Sequence, residues 1–546
     1  MWGQGWREQV WSELSRPWDI IIVGGGITGA GIFRLASKTG LRVLLVESND
    51  FAYGTSSRSS KLVHGGFRYL FNRQFNVTGE SVREREWLLR EARNLVTPLP
   101  FILPNYSRYH IHTRKIDVGV AIYDLLAPKW HHRRLSIQSV LQAAPGINPD
   151  GLLAGFEYGD AAIDDARLVI RVLREAVRSG GYALNYTRAE GLLRTQDGRV
   201  RGVVLRDVAA PGGPTVEAQA SVVINATGPW TDGLRSELGA QPRLRKLRGS
   251  HLVFSRERFP LERAVTLFHP VDRRAMFAIP WEGVTLLGTT DIDHPAELEQ
   301  AHPEPFATQQ EIDYLLDAGR FLFPGLGLQA DDMLSTFAGL RPIIRSGTAA
   351  SPSKESRAHD IWVEDGLVTI TGGKLTIFRI MATQVMRRVA SLVPQVPLVY
   401  NRRIFEPLPY LFDDRELPLD KVRYLSGRYA AETPDLIAAA AADELSAIAP
   451  RPNLWAELRW AARQEGVIHL DDLLLRRVRL GMLLPSGAME LMPRIRKIAQ
   501  PELGWSDARW EQEEQRYRTI WAQSYSPAPG NKPQDVQAAF RLLPVE

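Results

Sequence analysis

A hydrophobic run that passes directly into closely spaced glycines constrains the fold of this chain more than any other feature. Residues 19–31 read Asp-Ile-Ile-Ile-Val-Gly-Gly-Gly-Ile-Thr-Gly-Ala-Gly, which predicts a strand, a tight turn and the start of a helix. In such a unit Gly24 permits the turn, Gly26 lets the backbone approach a pyrophosphate, and Gly29 lets the helix pack closely on the strand.

A second predicted strand follows this unit at the expected distance. Residues 42–47 are Arg-Val-Leu-Leu-Val-Glu, so the strand ends in the acid Glu47. An acid placed roughly 20 residues after the glycines is suited to hold the ribose hydroxyls of a dinucleotide. The motif therefore predicts a dinucleotide site and leaves open which dinucleotide binds.

Two distant segments narrow that choice. Residues 222–230 form a buried-type strand that ends in Thr227-Gly228, a turn of small residues where backbone can come close to a ligand. Residues 368–376 repeat the order of strand, glycines and helix, with Gly372-Gly373 placed to meet a phosphate or a flavin edge. A simple NAD domain is one contiguous stretch of sequence. Here three segments that are far apart in the sequence are predicted to contact the same dinucleotide, which favours FAD.

The composition sets the limits of the chemistry. With 546 residues and 44% hydrophobic content, the chain is expected to form two or three domains. It contains no cysteine, which excludes disulfides, thiolate metal sites and cysteine nucleophiles, and agrees with a reducing compartment. The net charge of +5 suits anionic lipid, nucleic acid or an anionic substrate, but it is also typical of an ordinary arginine-rich surface.

The N-terminal residues and the hydropathy predict no membrane span. Residues 1–16 are polar and rich in tryptophan and lack the apolar region of a signal peptide, and no apolar run approaches the ~20 residues that a span needs. Two segments are alternatives for a face that docks on a membrane surface, residues 1–16 and the basic helix predicted at 474–483. The other interpretation is that both pack onto the protein.

One segment carries a specific family resemblance. Residues 55–70, Thr-Ser-Ser-Arg-Ser-Ser-Lys-Leu-Val-His-Gly-Gly-Phe-Arg-Tyr-Leu, resemble the signature of FAD-dependent sn-glycerol-3-phosphate dehydrogenases. The same resemblance extends, in the family's order, to residues 156–167, 225–230, 249–251, 339–342, 356–357, 372–376 and 471–481. The tryptophan-rich N-terminal extension and much of the last ~70 residues depart from it, which leaves membrane docking and oligomer contacts in doubt.

The resemblance implies a complete activity. FAD would oxidise sn-glycerol 3-phosphate to dihydroxyacetone phosphate by hydride transfer to flavin N5, and the electrons would pass to a membrane quinone. Such an enzyme would be cytoplasmic and peripherally associated with the inner face of the cell membrane, and a homodimer is a further expectation.

The expected fold class is α/β. It combines a discontinuous Rossmann-like FAD-binding domain with an antiparallel β-rich substrate domain and a C-terminal helical cap. The expected boundaries are 1–16 for the extension, 17–110, 157–244 and 336–393 for the FAD-binding domain, 111–156 and 245–335 for the substrate domain, 394–412 for a proline-studded linker, and 413–546 for the helical domain.

The expected FAD-binding residues come from the glycine turns and from the serine-rich loop of the signature. Hydroxyl and ammonium groups of that loop offer hydrogen bonds to phosphates or to the flavin ring. The set is Gly24, Gly26, Ile27, Thr28, Gly29, Glu47, Thr55, Ser56, Ser60, Lys61, Leu62, His64, Gly65, Thr227, Gly228, Gly372, Gly373, Lys374, Leu375 and Thr376.

A site for glycerol 3-phosphate also needs fixed cations, because phosphate affinity comes chiefly from charge-assisted hydrogen bonds. The resemblance places four cations in the substrate pocket, and two hydroxyl groups, from Tyr69 and Thr376, could add neutral hydrogen bonds. The four cations are Arg68, Arg341, Arg357 and Lys374.

Oxidation of the alcohol requires a group that takes the hydroxyl proton. His251 is the predicted base, because a histidine changes charge near neutral pH. His64 is the competitor, although the glycines beside it suggest a flavin-packing role. Arg341 and Lys374 complete the predicted catalytic set, since cations stabilise a developing alkoxide.

Other classes have less support. No zinc-protease spacing of histidine and glutamate occurs, so no metal site is expected, and no G-x-S-x-G elbow supports a serine hydrolase. An oxidase that reduces oxygen to hydrogen peroxide is the main alternative. A non-catalytic or nucleic-acid-associated flavoprotein rests on basic charge alone, so no nucleic-acid partner is expected.

Overall fold

The computed structural model of the protein describes residues 2–66, 75–109, 116, 119–121, 132–345, 358–398, 403–408 and 417–527. The strands are β1 (Trp18–Val23), β2 (Val43–Val46), β3 (Leu62–Val63), β4 (Val96–Tyr106), β5 (Arg133–Leu135), β6 (Leu152–Ile163), β7 (Tyr182–Leu184), β8 (Thr187–Arg194), β9 (Val200–Asp207), β10 (Thr215–Asn225), β11 (Leu244–Ser255), β12 (Ala264–Phe268), β13 (Ala275–Trp281), β14 (Val284–Gly288), β15 (Ile292–Asp293), β16 (Met333–Ile344), β17 (His359–Glu364) and β18 (Leu367–Gly372).

Helices connect these strands and dominate after residue 417. The α-helices are α1 (Trp6–Ser12), α2 (Ile27–Ser37), α3 (Phe75–Glu91), α4 (Ile137–Ala143), α5 (Asp165–Arg178), α6 (Thr231–Ser236), α7 (Ala296–Ala301), α8 (Gln309–Leu322), α9 (Phe378–Leu392), α10 (Leu419–Tyr429), α11 (Thr433–Ala439), α12 (Trp455–Gln464), α13 (Leu480–Leu483), α14 (Met492–Leu503) and α15 (Asp507–Ser524). A π-helix spans Asp472–Arg477, and 3-10 turns span Thr55–Ser57, Ser107–Tyr109, Gly228–Trp230, Pro324–Leu326, Ala330–Asp332, Leu375–Ile377, Ala430–Glu432 and Pro485–Leu491.

The first sheet is built around the predicted strand and glycine turn. Its order is β17-β18-β10-β1-β2-β7, with β9 and β8 continuing from β10. The strands β18, β10, β1, β2 and β7 run parallel. Alternate residues of β1 enter different cores, Ile20 and Ile22 on one side and Ile21 and Val23 on the other, so both faces of the strand are apolar.

The second sheet is largely antiparallel, as predicted for the substrate region. Its order is β15-β11-β14-β13-β12-β4-β6-β3, while β16 pairs with β11 and β5 pairs with β6. The pair of β12 and β4 is parallel. The long pairing of β11 with β16, from Leu244↔Ile344 to Phe254↔Met333, brings residues near 250 and near 340 together.

The predicted fold class is therefore confirmed, with a mixed α/β sheet, a second β-rich sheet and a helical C-terminal part. The exact domain boundaries stay a prediction. Strands β4 and β16 lie in the second sheet, although most of each falls in segments predicted for the FAD-binding domain.

The two segments considered for membrane docking are packed against the protein. Trp2 is buried and stacks on Phe51 with ring centroids 4.7 Å apart, and Arg7 forms an ion pair with Asp207 at 2.6 Å. Residues 474–483 are buried throughout, so they present no basic face to a membrane and that prediction is wrong. Within the described ranges no helix has the length and apolar character required to span a bilayer.

Candidate active site

A cleft of about 590 Å³ opens where the parallel strands of the first sheet end. The carboxyl ends of such strands are the usual place for a ligand in an α/β sheet. Most of the predicted site residues line it: Gly24, Gly26, Ile27, Thr28, Glu47, Thr55, Ser56, Ser60, Leu62, His64, Thr227, Gly228, His251, Arg341, Gly372, Gly373, Lys374, Leu375 and Thr376.

The glycines between β1 and α2 are required by close backbone contacts. Gly24 has φ +116°, and a Cβ there would lie 2.4 Å from the carbonyl oxygen of Ala226, which directly follows the neighbouring strand β10. A Cβ on Gly29 would lie 1.9 Å from the Gly24 carbonyl oxygen. Gly29 therefore lets α2 pack on the turn and, unlike Gly24 and Gly26, does not line the cleft.

Glu47 lies at the end of β2 and is held by backbone donors. The N–H groups of Gly25 and Asn49 donate to its carboxylate at 2.7 and 2.9 Å. Burial raises the pKa of Glu47 despite these hydrogen bonds. The carboxylate is fixed beside the glycine turn, where an acid can accept hydrogen bonds from ribose hydroxyls.

The second glycine turn, after β18, also lines the cleft. Gly372 and Gly373 have φ values of +79° and +72°, which favour glycine. A Cβ on Gly372 would lie 2.4 Å from the Ala358 carbonyl oxygen, and one on Gly373 would lie 2.6 Å from the sulfur of Met381. Both turns thus present bare backbone to the cleft, which is the cradle that a flavin dinucleotide needs.

His251 projects from β11 into the same cleft. Its Nε2 lies 2.9 Å from the Ser60 hydroxyl, and its ring stacks on Phe337 with centroids 4.7 Å apart. Its Nδ1 is buried and has no hydrogen-bond partner among the described residues. Burial, followed by the charges of Arg341 and Lys61, holds the pKa of His251 well below 6.5, so the imidazole is neutral at neutral pH.

Arg341 lies on β16, opposite Leu247 of β11 and on the strand that neighbours His251. Its guanidinium donates to the Thr290 carbonyl and the Asp291 carboxylate at 3.0 Å and to the Thr289 hydroxyl at 2.9 Å. A Cβ on Gly249 would lie 2.2 Å from Nη2, so that glycine makes room for the guanidinium. Arg341 is 20% exposed and is fixed in orientation at the cleft wall.

Lys374 and Thr376 follow the second glycine turn. The Lys374 ammonium donates to the Ser81 hydroxyl of α3 at 2.8 Å, and Thr376 is buried. Lys374 and Arg341 both line the cleft with His251. The cleft therefore combines a dinucleotide cradle and a neutral imidazole with several cations, among them the predicted Arg341 and Lys374.

Comparisons with known proteins agree with this geometry. A family model described as FAD dependent oxidoreductase matches residues 19–377, and one described as the C-terminal domain of alpha-glycerophosphate oxidase matches residues 370–510. The chain is 34% identical over 572 residues to glycerol-3-phosphate dehydrogenase 2 of Mycobacterium tuberculosis, with 98% of this chain and 95% of the relative covered. It is 40% identical over 384 residues to the aerobic glycerol-3-phosphate dehydrogenase of Staphylococcus epidermidis, with 69% and 68% covered.

The chain belongs to the family of FAD-dependent glycerol-3-phosphate dehydrogenases.

Solved structures extend this family likeness. The glycerol-3-phosphate dehydrogenase from Bacillus halodurans, complexed with FAD, matches with a TM-score of 0.78 and 29% identity over 97% of this chain and 99% of that one. The L-alpha-glycerophosphate oxidase from Mycoplasma pneumoniae shares the fold, with a TM-score of 0.56 and 19% identity over 72% of this chain and 100% of that one. The predicted cofactor FAD is confirmed.

Lys61 differs from the expectation for this dehydrogenase family. Its ammonium is buried away from the cleft and donates to the Ser57 carbonyl at 2.6 Å and to Asp165 at 2.9 Å. Burial lowers the pKa of Lys61 to about 7. Because its hydrogen bonds are directed at the protein, Lys61 supports the loop rather than donating to FAD.

Gly65 also lies outside the lining of the cleft. Its N–H donates to Asp160 at 3.0 Å, so this donor is used within the protein. Three predicted substrate residues, Arg68, Tyr69 and Arg357, lie outside the described residues. Their substrate-binding roles stay predictions.

Two large residues that line the cleft were not among the site residues predicted from the sequence. Arg58 is buried and pairs with Glu304 and the Tyr525 hydroxyl, which ties the signature loop to the C-terminal helices. Trp230 covers the cleft from its turn and donates to Glu299 at 2.5 Å. Arg58 lies between the predicted Ser56 and Ser60, so its place in the loop was the available signal. Across the described ranges, no cluster of three acidic or histidine residues could hold a metal ion.

Proposed function

We propose that this protein oxidises sn-glycerol 3-phosphate to dihydroxyacetone phosphate and passes the electrons to a membrane quinone. The observation that carries the proposal is the convergence of His251, Arg341 and Lys374 on one cleft with both glycine turns. Oxidation of a phosphorylated alcohol needs a hydride acceptor, a group that binds the phosphate and a group that takes the hydroxyl proton. This cleft offers groups for each of these tasks.

The glycine turns and Glu47 would hold FAD. The helix start at Ile27 and the turn at Gly372-Gly373 offer backbone to its phosphates and ring, and Glu47 accepts from its ribose. Bound FAD supplies the acceptor for the hydride that leaves C2 of the substrate.

Arg341 and Lys374 would bind and orient the anionic substrate. A guanidinium fixed by Thr290 and Asp291 loses little further freedom when it donates to an oxyanion. The ammonium of Lys374 adds a second positive charge from the other wall. Arg68, Tyr69 and Arg357 complete the proposed substrate set, and Thr376 adds a hydroxyl.

His251 would take the proton of the C2 hydroxyl. Its low pKa keeps the imidazole neutral, so a ring nitrogen can accept the proton as the hydride departs. The Ser60 hydroxyl bound at Nε2 orients the ring. The positive charge of Arg341 stabilises the alkoxide character that develops on the substrate oxygen.

An anaerobic titration tests the function directly. Adding glycerol 3-phosphate to purified FAD-loaded protein is expected to bleach the flavin absorbance, and one equivalent of dihydroxyacetone phosphate should form per flavin. Full FAD content with no bleaching would contradict the proposal, and glycerol serves as the control that lacks the phosphate.

An oxidase is the second candidate. The match of residues 370–510 to a domain described for alpha-glycerophosphate oxidase favours it. Hydrogen peroxide formation measured in air against reduction of a soluble quinone distinguishes the two. If hydrogen peroxide formed at the full turnover rate, oxygen rather than a quinone would be the electron acceptor.

Membrane association and assembly belong to the same proposal. A quinone dissolved in the bilayer requires the protein to work at the membrane surface, and the proposal is a peripheral attachment at the cytoplasmic face. Flotation with anionic liposomes tests this, and light scattering tests the proposed homodimer.

A further inference from the structure

A buried carboxylate lies between β11, which carries His251, and the loop that holds Arg341. It belongs to Glu311, the third residue of α8, whose side chain is fully buried. Glu311 does not line the cleft, so it can act on the site only through other residues.

Both oxygens of the Glu311 carboxylate accept hydrogen bonds. Oε1 accepts from the hydroxyl groups of Thr290 and Ser250 at 2.6 and 2.8 Å. Oε2 accepts from Arg248 Nε at 2.9 Å and from the N–H and hydroxyl groups of Thr308 at 3.1 Å. Burial alone would raise the pKa of Glu311, but Arg248 and the hydrogen bonds lower it, so the carboxylate is charged at neutral pH. Hydrogen bonds to a charged acceptor are the stronger kind, so these donors are held firmly.

One branch of this network reaches the base. Ser250 directly precedes His251 on β11, and its hydroxyl donates to Glu311. The Ser250 N–H donates to the Thr290 hydroxyl at 2.9 Å. Because the side chain and the backbone of Ser250 are both anchored, the strand is fixed at the point where the His251 side chain leaves it.

The other branch reaches Arg341 through the loop between β14 and β15. The Thr290 hydroxyl donates to Glu311, while the Thr290 carbonyl accepts from Arg341 at 3.0 Å. The residues on either side, Thr289 and Asp291, also accept from the guanidinium. The direction of the guanidinium therefore depends on a loop whose central hydroxyl is tied to a buried charge.

The same loop also contacts the base. Gly288 lies opposite His251 in the pairing of β11 with β14, and a Cβ on Gly288 would lie 2.4 Å from His251 Cδ2. A movement of residues 288–291 would therefore displace the imidazole and the Arg341 guanidinium together.

We propose that Glu311 is a positioning residue that holds His251 and Arg341 in one mutual arrangement for the oxidation of glycerol 3-phosphate. The inference rests on the proposed function, which gives His251 the proton and Arg341 the anionic substrate. Both groups must act on the same bound molecule, and a misplacement of about 1 Å can cost about 100-fold in rate. Glu311 anchors both without lining the cleft itself.

Anaerobic stopped-flow reduction of the bound flavin by glycerol 3-phosphate tests the proposal. Rates are taken per bound flavin, so a variant that merely folds less well keeps the same saturating rate and the same half-saturating substrate concentration. Glu311→Gln keeps the size of the side chain and removes its charge. It should lower the saturating rate, because His251 is displaced, and raise the half-saturating concentration, because Arg341 is displaced, by about tenfold each.

Thr290 offers a milder test that leaves the ion pair of Glu311 with Arg248 in place. Thr290→Val replaces the hydroxyl by a methyl group and should change both constants in the same directions, by about fivefold, the value of one hydrogen bond. Thr290→Ser retains the hydroxyl and should return both constants to near the wild-type values. Wild-type constants in Thr290→Val would overturn the proposal, even if Glu311→Gln did not fold.

Glu457→Gln is the matched control. Glu457 is also a buried carboxylate at the third position of a helix, α12, where it accepts from the Leu454 N–H at 2.8 Å and from the Tyr429 hydroxyl at 2.9 Å. It does not line the cleft, so Glu457→Gln should leave both constants unchanged.

The outcomes separate the two proposals. Equal effects of Glu311→Gln and Glu457→Gln would overturn the role of Glu311. A wild-type enzyme that glycerol 3-phosphate does not reduce would contradict the proposed function itself. Normal reduction of the wild type with unchanged constants in Glu311→Gln would contradict only the positioning role.

Discussion

The protein uses charged side chains in two contrasting ways, in the cleft and in a buried ionic seam. We define the seam as Asp50, Arg476 and Arg477 together with Lys61, Asp165 and Arg479. Its side chains are at most 2% exposed, and every one of them forms an ion pair inside the seam. In the cleft, Arg341 and Lys374 instead stay partly exposed beside an open space.

The difference shows which charges hold the domains together and which are available to a ligand. Asp50 follows β2 and accepts from Arg476 at 2.6 Å and from Arg477 at 2.7 Å, which joins the dinucleotide region to the π-helix. Burial alone would raise the pKa of Asp50, but the two arginines lower it overall. Arg341, by contrast, pairs with Asp291 and yet stays 20% exposed at the cleft wall, beside the space for a substrate.

The largest expected effect lies in the seam. Asp50→Asn leaves Arg477 buried without the carboxylate that it pairs with, whereas Arg476 keeps Asp471 and Asp472. Breaking such a buried pair costs about 3–5 kcal/mol. Urea denaturation measures the loss. The control Asp365→Asn removes an exposed pair with Arg194 and should change the free energy of unfolding by less than about 1 kcal/mol.

Acid should also reduce the stability that Asp50 contributes to the folded protein. Because Asp50 has a lowered pKa when folded, its stabilisation is complete above its unfolded pKa of about 4 and is lost as the pH falls through the folded value. Equal pH dependence for the wild type and Asp50→Asn below pH 4 would contradict this assignment.

The next effect concerns the base in the cleft. His251→Ala should lower kcat about 100-fold, the lower end of the usual range for a general base, because Arg341 still stabilises the alkoxide. KM should change little, and FAD content should stay intact. An unchanged kcat at full FAD occupancy would remove His251 from the mechanism.

The pH profile sharpens the same assignment. The neutral imidazole is the working form, so kcat/KM should fall as the pH drops through the pKa of His251, and that limb should lie below pH 6.5. The limb should disappear in His251→Ala. A limb above pH 6.5 would contradict the effect of burial and of the neighbouring cations.

A smaller effect is expected for the substrate cation. Arg341→Gln should raise KM about tenfold, because it removes a charge-assisted hydrogen bond to the phosphorylated substrate. Steady-state kinetics measure it. Arg245→Gln, which removes the half-buried partner of the exposed Asp293, is the control and should leave KM unchanged.

The smallest effect belongs to Ser60, which positions His251. Ser60→Ala removes the hydroxyl 2.9 Å from Nε2 and should lower kcat about fivefold, the value of one neutral hydrogen bond. The acid limb of the pH profile should move as well, which a merely structural serine would not cause. Ser391→Ala, on an exposed surface of α9, is the control.

Local patterns predicted the elements that do not depend on distant partners. The strand and glycine turn at residues 19–31 fold as β1 and α2, and Glu47 lies beside them, because turn geometry and strand periodicity are set within a few residues. His251 and Arg341 were predicted one by one. Their meeting in one cleft depends on the pairing of β11 with β16.

The signature loop shows where the sequence stops being informative. Ser60 and Lys61 are adjacent and both polar, so their pattern assigns both to FAD. In the structure Ser60 reaches His251, while Lys61 enters the seam with Asp165, 104 residues later. Which of two neighbouring polar groups is buried depends on the carboxylate that packs beside it, which only the tertiary structure brings there.

The sequence by itself determined the cofactor cradle and the family, because both are written in short segments whose backbone requirements are local. Only the tertiary structure separated charges that hold the protein together from charges that face a ligand. The physical reason is that an arginine has the same local signal in both roles. Its burial and its partners, such as Asp50 for Arg477 and the cleft wall at Asp291 for Arg341, are decided by segments far apart in the chain.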